Sequence, residues 1–356
     1  MYSVILAGGK GKRFWPFSRA RKPKQFLDIT GAGSMLALTF QRLREIVPPE
    51  RILLLTVAEQ VELVHNELPD LPAQNIFAEP EGRNTAPSLA VAAALVAHRG
   101  GDEPLLCCPA DHIIEYADAF RALVTAAGDI AAGDDVLITF GITPDRPATG
   151  YGYIEAGREM GECGGQRFYY VKKFHEKPDG VRAESYLERG GYYWNSGIFL
   201  WRPSVFLESW RRFLPEGAGP LERIARAFDQ PDQESVVRAQ YPKMPAISVD
   251  YGILERADNV IVGPANLGWN DVGSWDALFD ILPSNGKGNV GAGTMELIDS
   301  SGNLFFNPDG VTAAVGVDNL IVVVEGQTVL VCKRGQSERV RDLLESIETK
   351  GDAELL

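Results

Sequence analysis

The sequence predicts an α/β protein: a doubly wound, mostly parallel sheet followed by a small β-rich C-terminal domain. Three observations carry this. Short apolar runs alternate with amphipathic stretches through the first half of the chain. Each run has the length of a strand buried on both faces. Past a Gly/Asn/Ser-rich break at residues 283–289 the alternation gives way to closely spaced strand-like segments.

The elements follow in order. Residues 2–7 read as a buried strand, and residues 34–47 place Leu36, Phe40, Leu43 and Val47 at helical spacing. Residues 51–57 (RILLLTV) form the next strand and 58–68 the next helix; 75–78 is a short strand before an alanine-rich helix at 85–98. Strands at 104–108 and 135–140 flank a helix at 116–132. This βαβα rhythm implies ligands beyond the C-terminal ends of the strands. After Gly150 the rhythm loosens. Strands are predicted at 151–156, 168–176 and 193–201, with helices at 180–189, 203–213 and 221–228. The domain boundary is placed between residues 283 and 284. Beyond it "GNLFF", "NLIVVVEG" and "TVLVCK" read as strands, and a polar helix spans 337–350. No internal repeat is legible.

Composition excludes several classes. The chain has 356 residues, 45% of them hydrophobic and 23% charged, which is ordinary for a globular protein. A net charge of −13 argues against nucleic acid or an anionic membrane as partner. No run approaches the ~20 apolar residues of a membrane span, and the N-terminus does not read as a signal peptide. Cys107, Cys108, Cys163 and Cys332 lack CxxC spacing, as expected of free thiols in a reduced, cytoplasmic protein.

Against this acidic background, "VILAGGKGKRFWP" (residues 4–16) gathers Gly8, Gly9 and Gly11 with Lys10, Lys12 and Arg13 directly after the first strand. Glycines there expose backbone N–H groups, and the cations call for an anionic ligand, as in a phosphate-binding loop. The P-loop pattern is absent. The dinucleotide GxGxxG also fails, since Phe14 stands where the third glycine belongs, which disfavours a dehydrogenase.

Read through to "KPKQF", the segment resembles the signature L-[AG]-G-G-x-G-x-R-[LF]-x-P…P-K-x-[LF] of the sugar-phosphate nucleotidyltransferases. The resemblance implies a Rossmann-like fold of the nucleotide-diphospho-sugar transferase type. It gives Arg13 and Lys24 the role of catalytic phosphate-binding cations, with Leu6, Gly8, Gly9 and Gly11 on the nucleotide. Two anions must meet in such a reaction, so fixed cations and a metal are required. Asp111 in "CCPADH" and Asp271 in "LGWNDVGSW" each read alone as ordinary turn or capping residues. Together they resemble the family's metal-binding pair, an oxygen site suited to Mg²⁺. His112 is read as structural.

"KKFHEKPD" resembles the F-x-E-K-P motif, which implies that Glu176 and Lys177 hold the sugar phosphate. Asn195 in "WNSGIFLW", Gly150 and Gly152 in "ATGYGYIE", and Asp250 in "SVDYGILE" are candidates for the same pocket, Asp250 equally as a helix cap. Arg83, Asn84 and Thr85 in "EPEGRNTAPSLA" open a helix. They also resemble the R-N-T-A-P stretch of the mannose-1-phosphate guanylyltransferases, the GDP-mannose pyrophosphorylases. The resemblance runs to about residue 280 and implies transfer of GMP from GTP to α-D-mannose 1-phosphate in GDP-mannose biosynthesis. It also implies a homodimer and, with no isomerase domain following, a monofunctional enzyme. The same chemistry on another hexose 1-phosphate or nucleotide stays open. A non-catalytic sugar-nucleotide sensor is disfavoured by the intact charged set.

Overall fold

The computed structural model describes residues 1–350 apart from Lys10 and Ala20. Lys10, one of the loop cations, thus lies outside the described residues. The chain forms two compact units. The first comprises Met1–Gly8, Thr39–Ala110 and Ile114–Trp269, the second Gly9–Leu38, Asp111–Ile113 and Asn270–Leu356.

In chain order the elements up to Trp269 are β1 (Tyr2–Leu6), α1 (Met35–Arg44), β2 (Ile52–Val57), α2 (Val61–Glu67), β3 (Ile76–Glu79), α3 (Thr85–His98), β4 (Leu105–Pro109), β5 (Ile113–Ile114), α4 (Ala117–Gly133), β6 (Leu137–Ile142), β7 (Tyr153–Cys163), β8 (Gln166–His175), α5 (Gly180–Arg189), β9 (Tyr192–Trp201), α6 (Pro203–Phe213), α7 (Ala218–Ala227), α8 (Gln233–Gln240) and β10 (Val260–Ala265). A nine-stranded sheet in the order β3-β2-β1-β4-β9-β6-β10-β8-β7 organises the first unit. Pairing is parallel from β3 to β4 and between β6 and β10. β9 runs antiparallel between β4 and β6, so Leu200 faces both Leu106 and Ile138. β7 and β8 form an antiparallel hairpin turned at Gly164 and Gly165, both with positive φ. The sheet is therefore mixed, with one parallel block from β3 to β4 and a second parallel pair at β6 and β10. Apolar runs report burial and not direction, which is why the antiparallel insertion is not legible in the sequence. α8 and β10 are likewise additions to the predicted elements.

α3 shows how composition chooses a layer. Ala86 through Val96 are all buried, so this helix is apolar all round and sits in the core with Val4, Leu53, Phe206 and Trp210. Small side chains let neighbouring elements approach it closely. Asn84 caps its start by accepting from the Thr85 N–H.

The remaining elements are β11 (Trp269–Asn270), α9 (Leu278–Ile281), β12 (Val290–Ile298), β13 (Leu304–Val315), β14 (Leu320–Glu325), β15 (Thr328–Lys333) and α10 (Val340–Lys350). β12, β13 and β14 stack in parallel, with β15 antiparallel to β14. Val290, Leu304 and Ile321 lie in register as three buried rungs. The turn before each rung repeats as well. Gly288, Gly302 and Asn319 all have positive φ. Asn289 and Asn303 are buried, and the Asn303 N–H and amide both donate to Asn289 Oδ1, at 3.0 and 2.9 Å. Asn303 Oδ1 in turn accepts from the Leu320 N–H at 2.9 Å. So a coil repeat exists that the sequence reading missed. It is carried by Gly-Asn-apolar at 288–290 and 302–304, then by Asn-Leu at 319–320.

The second unit has its own core. Phe14, Trp15, Leu27 and Ile29 from the early segment pack with Trp275, Val290, Leu304, Ile321, Val340 and Leu344. The indole of Trp275 donates to the Trp15 carbonyl at 3.0 Å.

Candidate active site

The glycine loop leaves β1 at Leu6, whose carbonyl accepts from the Ala110 N–H at 3.0 Å. Gly11 has φ 56°, and a Cβ there would stand 2.2 Å from Lys24 Cβ. Only glycine lets the loop approach Lys24 so closely. Gly9 has open space around it, and its carbonyl accepts from the Gln25 amide at 3.2 Å.

Lys24 is 6% exposed and is the centre of the second unit's polar cluster. Its ammonium donates to Asp111 Oδ2 at 2.7 Å, to the Asp271 carbonyl at 2.7 Å and to the Asp111 carbonyl at 3.2 Å. The Phe14 ring lies beneath it, 5.7 Å from centroid to Nζ. The sequence-predicted Lys24, Asp111 and Asp271 are thus brought together from segments far apart in the chain. Burial alone would raise the Asp111 carboxyl, but the Lys24 ammonium and His112 outweigh it and hold the group below its ordinary value. The Asp271 carboxylate lies against Gly273, whose missing side chain leaves it room.

Arg13 is placed differently. It is exposed and reaches the Glu338 carboxylate at 3.9 Å. Lys12 pairs with Glu348 of α10 at 2.7 Å. The two described loop cations therefore face acids of the C-terminal segment, pairs that solvent screens to little net stability.

The first unit holds the other candidates. Asn195 on β9 donates to Asp250 Oδ1 at 2.7 Å, and its own Oδ1 accepts from the Thr139 hydroxyl at 3.3 Å and the Gly197 N–H at 3.2 Å. The amide is locked in orientation. The Gly152 carbonyl accepts from the Asn195 N–H at 2.8 Å, and a Cβ on Gly152 would come 2.7 Å from the Glu176 carboxylate. Gly152, Glu176, Asn195 and Asp250 are brought together; Gly150 lies exposed on the segment before β7. Burial raises the Asp250 carboxyl, the Glu176 charge adds to this, and the Asn195 hydrogen bond only partly opposes it. Glu255 is raised by burial and by Asp250 and Glu176. Asp250 opens a π-helical turn at Asp250–Leu254, the backbone form that recurs at functional sites, rather than capping an ordinary helix.

Arg83 donates through Nε to the Met244 carbonyl at 2.8 Å and pairs with Glu81, while the Thr85 hydroxyl accepts from the Val249 N–H at 2.9 Å. Sequence reasoning passed over Glu79, at the end of β3. Its Oε1 accepts from the Tyr241 hydroxyl at 2.6 Å and from Ser88, and its Oε2 lies 3.4 Å from where a Gly8 Cβ would be. Burial raises this carboxyl despite both hydrogen bonds. A charged residue closing an apolar strand was the available signal.

Backbone strain marks two of these segments. Six described non-glycine residues have positive φ. Asp229, Asp299, Asn84 and Asn319 are types that tolerate it; Lys177 at 42° and Val272 at 48° are not. One is itself a candidate and the other directly follows Asp271. Strain of this kind collects at functional turns.

Among the described residues no three His, Cys, Asp or Glu side chains converge on a metal. Asp111 and Asp271 are two hard oxygen donors, which fits an ion completed by phosphate oxygens and water rather than by a protein cage.

Residues 2–287 match the nucleotidyl transferase family, and residues 294–347 match the MannoseP isomerase/GMP-like beta-helix domain. The chain is 40% identical over 355 residues to a mannose-1-phosphate guanylyltransferase of Escherichia coli, covering 97% of this chain and 73% of that one. It is 38% identical over 358 residues to the xanthan biosynthesis protein XanB of Xanthomonas campestris pv. campestris strain B100, covering 99% and 74%. A crystal structure described as mannose-1-phosphate geranyltransferase from Thermus thermophilus superposes with a TM-score of 0.87 at 34% identity, covering 98% of this chain and 99% of that one.

Proposed function

The chain belongs to the nucleotidyl transferase family, and on that premise we propose that it transfers GMP from GTP to α-D-mannose 1-phosphate, releasing pyrophosphate and GDP-mannose. The observation that carries this reading is the buried Lys24 ammonium joined to both Asp111 and Asp271. The Asp271 contact is through its backbone carbonyl; what exceeds a plain structural ion pair is the strained Val272 that follows Asp271 and the glycine loop pressed against the lysine.

In this reading Leu6, Gly8, Gly9 and Gly11 line the nucleotide, with Arg83, Asn84 and Thr85 toward the base. Arg13 and Lys24 meet the phosphates, Arg13 through its planar fork and Lys24 as a point charge. The sugar phosphate is held by Lys177, and its hydroxyls by Glu176, Asn195 and Asp250, with Gly150 and Gly152 allowing backbone approach. A phosphate monoester oxygen is already an anionic nucleophile, so in-line attack on the α-phosphorus needs no general base and no covalent intermediate. Pyrophosphate leaves as charge develops on the phosphoryl oxygens, where fixed cations act best.

Enzymes of this family use a divalent metal. We assign it as Mg²⁺ held by Asp111 and Asp271, where it would neutralise phosphate charge. Residues 1–283 are the catalytic part and 284–356 the β-rich part in this proposal. We place the enzyme in the cytoplasm as a homodimer. No described helix is long and apolar enough to cross a membrane. Val329 and Val331, opposite Val324 and Val322 on the C-terminal sheet, are exposed as a self-association surface requires.

The test is pyrophosphate release with Mg²⁺, crossing mannose 1-phosphate and glucose 1-phosphate with GTP, ATP, UTP and dTTP. A signal confined to GTP with mannose 1-phosphate is expected. Another productive pair would keep the chemistry and overturn the substrates. Silence from folded protein would overturn the reading.

A further inference from the structure

The turn Glu176–Asp179 joins β8 to α5, and its two ends are tied together by one imidazole. His175 is the last residue of β8. Its Nε2 lies 3.2 Å from Glu155 Oε2 on β7, and its Nδ1 lies 3.2 Å from the hydroxyl of Tyr186 on α5. One neutral tautomer satisfies both: Nε2–H donates to the carboxylate and Nδ1 accepts from the phenol. Glu155 is itself fixed, its Oε1 accepting from Lys172 at 2.6 Å. Tyr186 is buried and stacks on Tyr192 with centroids 4.3 Å apart and planes at 12°. Asp179 then caps α5 by accepting from the Arg182 N–H at 2.9 Å.

Between these anchors stands Lys177 at φ 42°, a conformation a lysine keeps only if its surroundings impose it. The Lys177 ammonium is mostly exposed and meets its neighbour Glu176 only loosely, at 3.7 Å. Its side chain therefore does not hold the turn. We propose that His175 is a positioning residue, and that the Glu155–His175–Tyr186 chain holds the strained turn so that Glu176 and Lys177 are preset for the sugar phosphate. This rests on the assignment of those two residues made above. The His175 ring touches no reacting group in this scheme.

Tyr186→Phe isolates the effect, because it keeps the stacked ring and removes only the hydroxyl. The expected result is a rise of about fivefold in KM for mannose 1-phosphate, the size of one hydrogen bond's net contribution. KM for GTP should stay within about twofold and the melting temperature should hold, as a local effect implies. Unchanged KM for both substrates, or an equal rise in both with a lower melting temperature, would overturn the proposal. Lys177→Ala separates it from the underlying assignment. If that variant leaves KM for mannose 1-phosphate unaltered, the role of Lys177 falls, and the proposal with it. If Lys177→Ala responds while Tyr186→Phe is silent, only the positioning chain is wrong. In the double variant the combined effect should fall short of the sum of the two, since the part that runs through Lys177 is already lost; full additivity would mark a merely structural contact.

Discussion

The two polar clusters treat a carboxylic acid in opposite ways. In the second unit Asp111 is held below its ordinary range, because a buried ammonium outweighs the cost of burying the charge. In the first unit Asp250 is pushed up, because burial is joined by the Glu176 charge and opposed only by hydrogen bonds from uncharged groups, the Asn195 amide first among them. In the proposed reading the first arrangement would meet phosphate and cation through its ion pair. The second weakens its own charge and presents locked hydrogen-bonding groups, which suits hydroxyls. One chain thus builds an ionic site and a polar site from the same residue type, and the neighbours decide which.

The comparison breaks most directly at the ionic cluster. Asp271→Asn and Asp111→Asn should each lower Mg²⁺-dependent turnover by about a hundredfold or more, the cost of losing one preorganised electrostatic group. Far-ultraviolet circular dichroism should be unchanged. Rates like those of the unaltered protein would end the metal assignment.

A second test uses the loop that presses on Lys24. Gly11→Ala puts a Cβ 2.2 Å from Lys24 Cβ at a φ of 56°, so lysine or loop must move. Activity should fall by about tenfold or more, as misplacement by an ångström does. Gly133→Ala, at the end of α4, has open space and should be near silent in the same assay. Equal losses in both would mean that the spacing at Lys24 is not what matters.

At the polar cluster the expected effect is smaller and confined to one substrate. Lys177→Ala should raise KM for mannose 1-phosphate about tenfold, the loss of one charge-assisted hydrogen bond, with little change in KM for GTP. A rise shared by both substrates would move Lys177 off the sugar phosphate.

These clusters were unequally legible. Asp111 and Asp271 stand in motifs that the family resemblance picks out, and α3, α5 and α6 have the bounds read from the sequence, with Asn84 and Asp179 capping the first two and Pro203 opening the third. What the sequence hid was company. Nothing local says that Phe14 shares a core with Ile321 and Leu344, since that pairing spans most of the chain. Removing the C-terminal strands would therefore strip the packing behind the glycine loop, not merely an accessory domain. The coil repeat hid for another reason: its asparagines recur at 289 and 303 but Leu320 takes the third place, so the spacing never becomes regular. Lys177 and Val272 hid because left-handed backbone is legible only at glycine, asparagine or aspartate.

Glu79 sharpens the comparison furthest, because it is a polar-type carboxylate in a motif expected to serve the nucleotide. Burial raises it, and hydrogen bonds from Ser88 and Tyr241 lower it only in part. A carboxyl raised in the folded state binds protons more readily there than in the unfolded chain. Its stabilising contribution is complete below the unfolded value of about 4.3 and is lost as pH rises through the folded one. Glu79→Gln keeps an oxygen to accept from Tyr241 and Ser88 but cannot ionise. Urea midpoints measured from about pH 4 to pH 8 should thus fall away from the variant's as pH rises, leaving Glu79→Gln relatively more stable at neutral pH. Parallel curves would mean that Glu79 ionises as easily in the fold as outside it. A variant that loses ground as pH rises would mean that the ionised carboxylate is the form this unit is built to hold, as Asp111 is in the other.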